Sequence, residues 1–284
     1  MRLAEPCPYR TWLLHYGGKS LITAPARVPI KGRSVSGHSK WATIKHKKAA
    51  TDARRGKIFT KLIRELTIAA RVSGSDPDSN PRLRTAILAA KGENMPNENI
   101  ERAIQRGTGQ LEGETLEEVL FEGYGPGGVG VLIQVVTSNR NRIVSEIRHL
   151  MSKNGGNLAE SGAVGWMFQR KGDIVVPKEQ ADEEKMMGIV LDAGAEDLRD
   201  DGSSWEVITP SEAMEKVREA LTAAGIKPAS AEVGWLPQNY IKLSGPQAQQ
   251  MLRLVESLED HDDVQHVYAN FDIDEKEIQA AVAG

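Results

Sequence analysis

Apolar residues in the first third of the chain recur with the period of an α-helix. Between residues 58 and 70 they fall at every third or fourth position, which places them on one helical face. These positions are Ile58, Leu62, Leu66, Ala69 and Ala70. The stretch Gly74–Pro77 ends this helix, Asn80-Pro81 begins a second, and a third runs from about Asn97 to Gly107. The sequence therefore predicts a bundle of three helices.

After a linker at residues 108–115 the pattern changes to short, often β-branched runs that alternate with helical segments. The predicted strands are Glu118–Tyr124, Val129–Thr137, Ala163–Gln169, Asp173–Val176, Trp205–Ile208, Glu232–Leu236, Tyr240–Leu243 and Val264–Phe271. The predicted helices begin at Asn139, Asp182, Thr209 and Ser244, the last two with capping boxes. This order predicts an α+β multidomain fold, with helices on one face of small antiparallel or mixed sheets.

Charge is divided unevenly along the chain. Residues 37–109 hold fifteen bases and seven acids, whereas residues 110–284 hold fifteen bases and thirty-one acids. The densest part runs from Lys40 to Arg64, with nine lysines and arginines and one acid, Asp52. Such a local excess needs solvent or a polyanion opposite it, and phosphate backbones are the commonest polyanions in a cell. We therefore expect a nucleic-acid partner; the alternative is a solvated basic helix.

The candidate nucleic-acid-binding residues are Lys40, Trp41, Lys45, Lys47, Lys48, Arg54, Arg55, Lys57, Lys61, Arg64, Arg140 and Arg142. The three at the end of the basic segment, Lys57, Lys61 and Arg64, lie off the apolar stripe, on faces expected to be open to water or a ligand. Trp41 either stacks on an unpaired base or packs onto the bundle. No helix-turn-helix or zinc-finger signature is present, so the pattern favours binding of the backbone over reading of base edges.

Arg140 and Arg142 stand at the start of a predicted helix, where a cation is electrostatically unfavourable. A bound anion would remove the objection, because the helix N-terminus and the two guanidinium groups would then act together. The alternative is a salt bridge from Arg142 to Glu146, four residues later.

A glycine-rich run, Gly123–Gly128, invites comparison with a phosphate-binding loop. It lacks the Lys-Ser/Thr pair of a P-loop and no helix follows it directly. A tight connection between two strands, with glycines at positive φ, is the favoured interpretation.

Several kinds of protein are disfavoured by composition. No apolar run approaches the ~20 residues that span a bilayer. A single cysteine, Cys7, excludes an internal disulfide framework. The acidic stretches at residues 182–184, 200–201 and 259–263 lack the spacing of a calcium loop and are expected to be solvated faces. No set of catalytic residues stands out, so we expect neither an enzyme nor a bound metal or cofactor.

The first 36 residues form a segment of different character, with six bases and one acid. This composition fits an organelle transit peptide, which would imply a mitochondrial location. A slightly favoured alternative is that translation starts at Val35, and the expected location is then cytoplasmic. In either case we expect residues 1–36 to form a disordered basic arm.

The segment GHSKWATIKHKKAATDARRGKIFTKLIREL, followed by NPRLRTAI, EGYGPGGVG, NRNR and GGNL, closely resembles the YebC/PmpR family. The mitochondrial translational activator of cytochrome c oxidase belongs to the same family. The resemblance covers residues 37 to about 273 and depends on several motifs in the same order. The family usually begins with Met just before a small residue and GHSKW, and here Val35-Ser36 occupies that place.

The resemblance implies three domains, one of them inserted in another. The expected organisation is a basic helical domain at residues 37–112, a middle α+β domain at 113–172 and 238–277, and an inserted α+β domain at 173–237. It also implies a DNA-binding transcriptional regulator; the alternative is a ribosome-associated translation factor that binds ribosomal or transfer RNA. The oligomeric state stays open.

Overall fold

The computed structural model describes residues 52–274 and 276–279 of the chain, and for residues 52–55 it describes the backbone alone. The predicted arm at residues 1–36 and the first part of the basic segment lie outside the described residues. The helices are α1 Asp52–Ser73, α2 Pro81–Gly92, α3 Asn97–Gly107, α4 Arg140–Lys153, α5 Glu183–Ala193, α6 Met214–Ala223 and α7 Gly245–Glu259. The strands are β1 Glu117–Tyr124, β2 Gly130–Thr137, β3 Asn157–Leu158, β4 Phe168–Pro177, β5 Asp197–Asp200, β6 Ser204–Thr209, β7 Ser230–Pro237, β8 Ile241–Lys242, β9 Val264–Ala269 and β10 Phe271–Asp272.

Helices α1, α2 and α3 pack around one small core, as the apolar periodicity predicts. Gly74 ends α1 at a φ of +86°, a backbone conformation that glycine adopts without steric cost. The side chain of Asn80 caps α2 by accepting a hydrogen bond from the backbone of Leu83 at 3.0 Å. The buried members of this core are Leu66, Ala69, Ala70, Leu83, Ala86, Ala90, Met95, Ile100 and Ala103.

The first sheet has the strand order β3-β1-β2-β9, and all its pairs are antiparallel. Helices α4 and α7 cover one face of it and supply most of the largest apolar core. Strand β9 lies more than 120 residues after β2 in the sequence, yet it pairs directly with β2. The chain therefore leaves this sheet after β3 and returns to complete it.

The intervening segment builds a second antiparallel sheet with the order β5-β6-β4-β7. Helices α5 and α6 cover one of its faces. The two sheets meet where β7 approaches β9, since a Cβ placed on Gly234 would lie 3.0 Å from the ring of Tyr268. This arrangement confirms the predicted α+β multidomain fold with helices on one face of small sheets.

Several details of the sequence prediction are wrong. The predicted strand Ala163–Gln169 is instead a short 3-10 turn at Gly165–Met167, after which β4 runs unbroken from Phe168 to Pro177. The reason is that backbone N–H groups in this region bind a buried carboxylate instead of a neighbouring strand. Strand β4 therefore crosses the predicted domain boundary between residues 172 and 173.

The predicted capping boxes at Thr209–Glu212 and Ser244–Gln247 do not form, since Ser244 precedes α7 without a capping hydrogen bond from its side chain. Helix α6 begins at Met214, and the hydroxyl of Ser211 donates to the carbonyl of Arg170 at 3.2 Å. Strand β5 was not predicted, because its sequence DLRD carries three charges in four residues. Pairing with β6 makes it a strand despite that composition.

Among the described residues, no helix is both long and apolar enough to cross a membrane. Within the same ranges, no group of three or more His, Cys, Asp or Glu side chains could hold a metal ion.

The tight approach of α1 and α3 predicts that two glycine-to-alanine variants differ in stability. A Cβ on Gly107, at the end of α3, would lie 2.3 Å from the backbone oxygen of Thr67. We expect Gly107→Ala to separate α3 from α1 and to lower the free energy of unfolding by about 1–3 kcal/mol. Urea denaturation measures the change.

The control is Gly92→Ala at the end of α2, where a Cβ would have no neighbour within 4 Å. Alanine at that position should leave stability unchanged or raise it by up to ~1 kcal/mol, because alanine favours the helix. Equal effects of the two substitutions would contradict the tight approach of α1 and α3.

Candidate nucleic-acid interface

The predicted nucleic-acid-binding residues fall into a described and an undescribed group. Lys40, Trp41, Lys45, Lys47 and Lys48 lie outside the described residues. Arg54 and Arg55 belong to the first turns of α1, for which only the backbone is described. The remaining five, Lys57, Lys61, Arg64, Arg140 and Arg142, have described side chains, and four of them lie together.

Three cations of α1 face the end of α7. Lys57, Lys61 and Arg64 are four and three residues apart, so they share one face of α1. Lys61 Nζ donates to the carbonyl of Glu259 at 2.6 Å, and Lys57 Nζ donates to that of Asp260 at 3.1 Å. The carbonyls at a helix C-terminus have no intrahelical partner and carry partial negative charge, which nearby cations stabilise. Contrary to expectation, this face is not left entirely to water or a ligand.

Asp263 is the centre of the contact. Its side chain is 2% exposed and binds two guanidinium groups: one oxygen accepts from Arg64 and the other from Arg142. The second oxygen also accepts from the hydroxyl of Thr137 at 2.8 Å. Asp263 thus joins α1, the end of β2 and the start of α4. The expectation of a solvated acidic face was wrong for this residue, because the fold buries its carboxylate.

These contacts shift the pKa of Asp263. Burial by itself would raise the pKa of the carboxyl group, but the hydrogen bond from Thr137 and the two arginines outweigh burial and hold it below its ordinary value. The charged form is therefore the one that the folded protein stabilises.

The two arginines at the start of α4, Arg140 and Arg142, differ in their surroundings. The side chain of Asn139 caps α4 by accepting from the backbone of Arg142 at 3.0 Å. The guanidinium of Arg142 binds Glu146 at 3.1 Å, as one sequence interpretation predicted, and also binds Asp263. Arg140, the first residue of α4, is exposed.

A shallow cavity of about 400 Å³ lies between α1, the start of α4 and the end of α7. Its walls carry the side chains Lys57, Arg64, Arg142, Glu146, Asp260, His261, Asp262 and Asp263. Four carboxylates against three permanent cations make this cavity a poor site for a phosphate group. The basic side chains in this cavity therefore act mainly as ion-pair partners that stabilise the fold.

A second contact fastens α2 to the first sheet. The guanidinium of Arg82 binds Glu65 of α1 at 2.7 Å and Glu118 of β1 at 2.9 Å. Burial would raise the pKa of Glu118, and Arg82 lowers it below its ordinary value. Two separate charged contacts, at Asp263 and at Arg82, therefore fix the helical bundle on the sheet.

The glycine-rich run is a strand connection, as predicted. Gly127 and Gly128 have φ values of +74° and +79°, between β1 and β2. A Cβ on Gly127 would lie 2.5 Å from Leu243, and one on Gly125 would lie 2.7 Å from the sulfur of Met251. The run packs against the start of α7 and the segment before it.

Sequence reasoning missed a buried acidic cluster in the second sheet. Asp173 on β4 and Glu206 on β6 share a face with Arg199 on β5, and Arg199 lies 3.7 Å from Glu206. Burial, together with the charges of Glu206 and Glu232, raises the pKa of Asp173 well above its ordinary value. The available signal was one acid in each of the predicted strands Asp173–Val176 and Trp205–Ile208, but a single acid also fits a strand with one solvated face.

Comparison with known proteins identifies the family. Residues 39–110 match the domain described as "TACO1/YebC protein N-terminal domain", and residues 116–271 match "TACO1/YebC second and third domain". The chain belongs to the TACO1/YebC family. The predicted resemblance is thereby confirmed.

Relatives in this TACO1/YebC family cover most of the chain. A protein of Solibacter usitatus named "Probable transcriptional regulatory protein" is 63% identical over 246 residues, which are 87% of this chain and 99% of the relative. A similarly named protein of Koribacter versatilis is 60% identical over 250 residues, 88% of this chain and 100% of the relative. The crystal structure of a conserved hypothetical protein from Aquifex aeolicus is 48% identical, with a TM-score of 0.75, and covers 82% of this chain and 97% of that one.

The buried carboxylate at the centre of the interface predicts a loss of stability when its charge is removed. We expect Asp263→Asn to lower the free energy of unfolding by about 1–3 kcal/mol at pH 7, because Arg64 and Arg142 lose their shared anion. Since folding lowers the pKa of Asp263, its contribution is present above the unfolded-state pKa near 4 and is lost as pH falls through the folded-state value. The difference between variant and wild type should therefore shrink at acidic pH.

Asp262→Asn is the control, because it removes the same charge from the adjacent, exposed position. Its effect should stay within ±0.5 kcal/mol. Urea denaturation of both variants at pH 7 and at about pH 2, below the unfolded-state pKa, makes the comparison. A pH-independent difference for Asp263→Asn would contradict the charged contact.

For Asp173 we expect stability to depend on pH in the opposite direction. Because folding raises the pKa of Asp173, the free energy of unfolding falls as pH rises above about 4. The fall stops once the pH has passed the folded-state pKa. Asp173→Asn removes that cost, so we expect it to raise stability relative to wild type at pH 8, on the order of 1–3 kcal/mol, and less at pH 5.

The control is Asp192→Asn on the exposed face of α5, which should change little at either pH. Thermal unfolding at the two pH values supplies the measurement. A destabilised Asp173→Asn at pH 8 would show that the ionised carboxylate is needed in the second sheet.

Proposed function

We propose that this protein is a non-enzymatic regulator of gene expression that binds nucleic acid through its basic N-terminal region, with DNA as the target and transcription as the step regulated. The observation that carries the proposal is the distribution of charge. Nine bases and one acid lie between Lys40 and Arg64, in a chain whose net charge is −3. The printed name of the relatives, "Probable transcriptional regulatory protein", supports transcription as the step.

The fold gives this basic segment a fixed base. Lys57, Lys61 and Arg64 bind the end of α7 and Asp263, so the first half of α1 is held against the first sheet. Arg54 and Arg55 lie in the first turn of the same helix. A polyanion that binds them therefore meets a helix that is already held in place, which favours binding.

The rest of the chain limits where a polyanion binds. Residues 110–284 carry thirty-one acids and fifteen bases, so their surface repels phosphate. We therefore expect the nucleic acid to contact the N-terminal region and to avoid the helical faces of the second sheet. Arg140 adds one exposed cation at the start of α4.

Neutralising the basic segment tests the proposal. The quadruple variant Lys47→Ala, Lys48→Ala, Arg54→Ala, Arg55→Ala should weaken binding to duplex DNA, because fewer neutralised phosphates release fewer counterions. The slope of log K against log salt should become shallower by roughly 0.9 for each phosphate that the variant no longer neutralises. Fluorescence anisotropy with a labelled duplex, over a series of salt concentrations, measures both quantities.

The matched control removes the same charge from the acidic part of the chain. Arg148, Lys185, Lys216 and Arg253 are exposed, and their quadruple alanine variant also removes two lysines and two arginines. It should leave the affinity and the salt slope unchanged. Equal weakening in both variants would mean that net charge, not this segment, governs binding, and the proposal would fail.

The choice of DNA is tested in the same experiment with a structured RNA hairpin at matched salt. Tighter binding to the duplex supports the transcriptional assignment. Selective binding of the hairpin, abolished in the basic quadruple variant alone, would replace DNA by RNA as the target.

A further inference from the structure

Trp166 stands out because it is the one exposed Phe, Tyr or Trp residue among the described residues, at 66% exposed. Its indole N–H donates to the carbonyl of Ala163 at 3.1 Å. The polar atom of the ring is thus already bound within the chain, while the aromatic surface remains in solvent. An exposed apolar ring is ordinary by itself, so its significance depends on how it is held.

The segment around it, residues 160–167, is built on a buried carboxylate and is called the Trp166 loop below. Glu122 of β1 is 7% exposed, and it accepts hydrogen bonds of 2.7 Å from the backbone N–H groups of Gly162, Val164 and Gly165. Burial would raise the pKa of Glu122, and the three backbone donors lower it below its ordinary value. An ionised carboxylate therefore sets the shape of the loop.

Apolar contacts with the first sheet hold the same loop in place. Val164 and Phe168, on either side of Trp166, are buried against Leu132 of β2. The hydroxyl of Tyr124 donates to the carbonyl of Ala163 at 3.0 Å, the same carbonyl that receives the indole N–H. The ring is thus mounted on a fixed base, and a ligand that binds it has little ordering entropy to overcome.

Two exposed amide side chains, Gln238 and Asn239, belong to the segment that hydrogen-bonds the backbone of the Trp166 loop. Gln238 Nε2 donates to the carbonyl of Trp166 at 3.3 Å, and the backbone of Gln238 donates to Met167 at 2.9 Å. The next residue, Asn239, is also exposed and accepts from Asn270 at 3.3 Å. Amide groups next to an aromatic face are the combination that reads a splayed-out nucleobase, by stacking and by hydrogen bonding along its edge.

We propose that the Trp166 loop, with Gln238 and Asn239, is a stacking site for an unpaired nucleotide. This inference rests on the proposed function and specifies part of its ligand: a base outside a duplex. The indole face takes the base, and the two amides meet its edge. Stacking on an aromatic side chain is tolerant of sequence, because every base has a π-face.

The surroundings of Trp166 favour a base over other occupants. The residues before the ring in the same loop, Glu160, Ser161 and Gly162, are exposed and not apolar, so the apolar surface of Trp166 does not continue along that side of the loop. The carboxylate of Glu160 also disfavours a phosphate group at this position. A planar, uncharged, aromatic ligand meets both conditions.

Strand β2 separates this site from the cations of α1. Met167 and Val164 approach Gly130 at the first residue of β2, whereas Asp263 and Arg64 lie at its other end, beside Val136 and Thr137. The length of this strand, at ~3.4 Å per residue, is about 24 Å.

Variants of Trp166 in the full chain test the inference. A labelled single-stranded DNA of about twelve nucleotides, the same sequence as RNA, and the matching duplex are the probes, with binding followed by anisotropy. Trp166→Ala should weaken binding to at least one single strand roughly 5- to 150-fold and change duplex binding by less than about twofold. Trp166→Phe, which keeps an aromatic face, should retain most of the affinity.

The exposed Leu88→Ala variant on α2 is the control for removal of an exposed apolar side chain, and it should bind all probes as wild type does. A preference for the DNA or the RNA strand identifies the source of the unpaired base, and either preference supports the site. Unchanged affinity of Trp166→Ala for both single strands would overturn the inference. So would equal weakening for strand and duplex, or a Trp166→Phe variant as weak as the alanine variant.

The quadruple alanine variant of the basic segment distinguishes failure of the stacking site from failure of the proposed function. If that variant binds weakly while Trp166→Ala binds the strands normally, only the stacking site is overturned. If wild type binds none of the probes saturably, both fall together. Unchanged strand binding by Trp166→Ala with reduced self-association in sedimentation would assign the loop to a protein contact and would also overturn the inference.

Discussion

The structure depends on a buried carboxylate that is neutralised from two directions. Asp263 receives Arg64 from α1 and Arg142 from α4, residues that are 199 and 121 positions away in the sequence. A carboxylate this deeply buried is costly unless cations and hydrogen bonds compensate it. Both arginines must therefore lie next to Asp263. Because Arg64 belongs to α1, this contact fixes the helical bundle on the first sheet.

The same contact divides the basic segment into two parts with different tasks. Its final cations, Lys57, Lys61 and Arg64, bind carbonyl and carboxylate oxygens at the end of α7 and so stabilise the fold. The cations before them remain the candidates for phosphate binding. The basic segment is continuous in sequence. Its C-terminal end stabilises the fold, and its N-terminal end is the part proposed to bind nucleic acid.

Buried acids elsewhere show how backbone and neighbours decide the state of a carboxyl group. Three backbone donors keep Glu122 ionised and shape the loop that carries Trp166. Asp173, half-buried and close to the charges of Glu206 and Glu232, has a raised pKa instead. The first arrangement stabilises a charged group and fixes a surface, whereas the second lowers stability at neutral pH.

The sequence by itself determined the elements whose signals are local: the cap at Asn80, the stop at Gly74, the capped start of α4 at Asn139 and the glycine connection between β1 and β2. It also located the basic segment and, through its motifs, the family. Tertiary structure alone decided the partners of Lys57 and Arg64, the burial of Asp263 and the turn that replaced a predicted strand at Gly165–Met167. Local propensity depends on neighbouring residues in the chain, whereas the burial and pairing of charges depend on segments that only folding brings together.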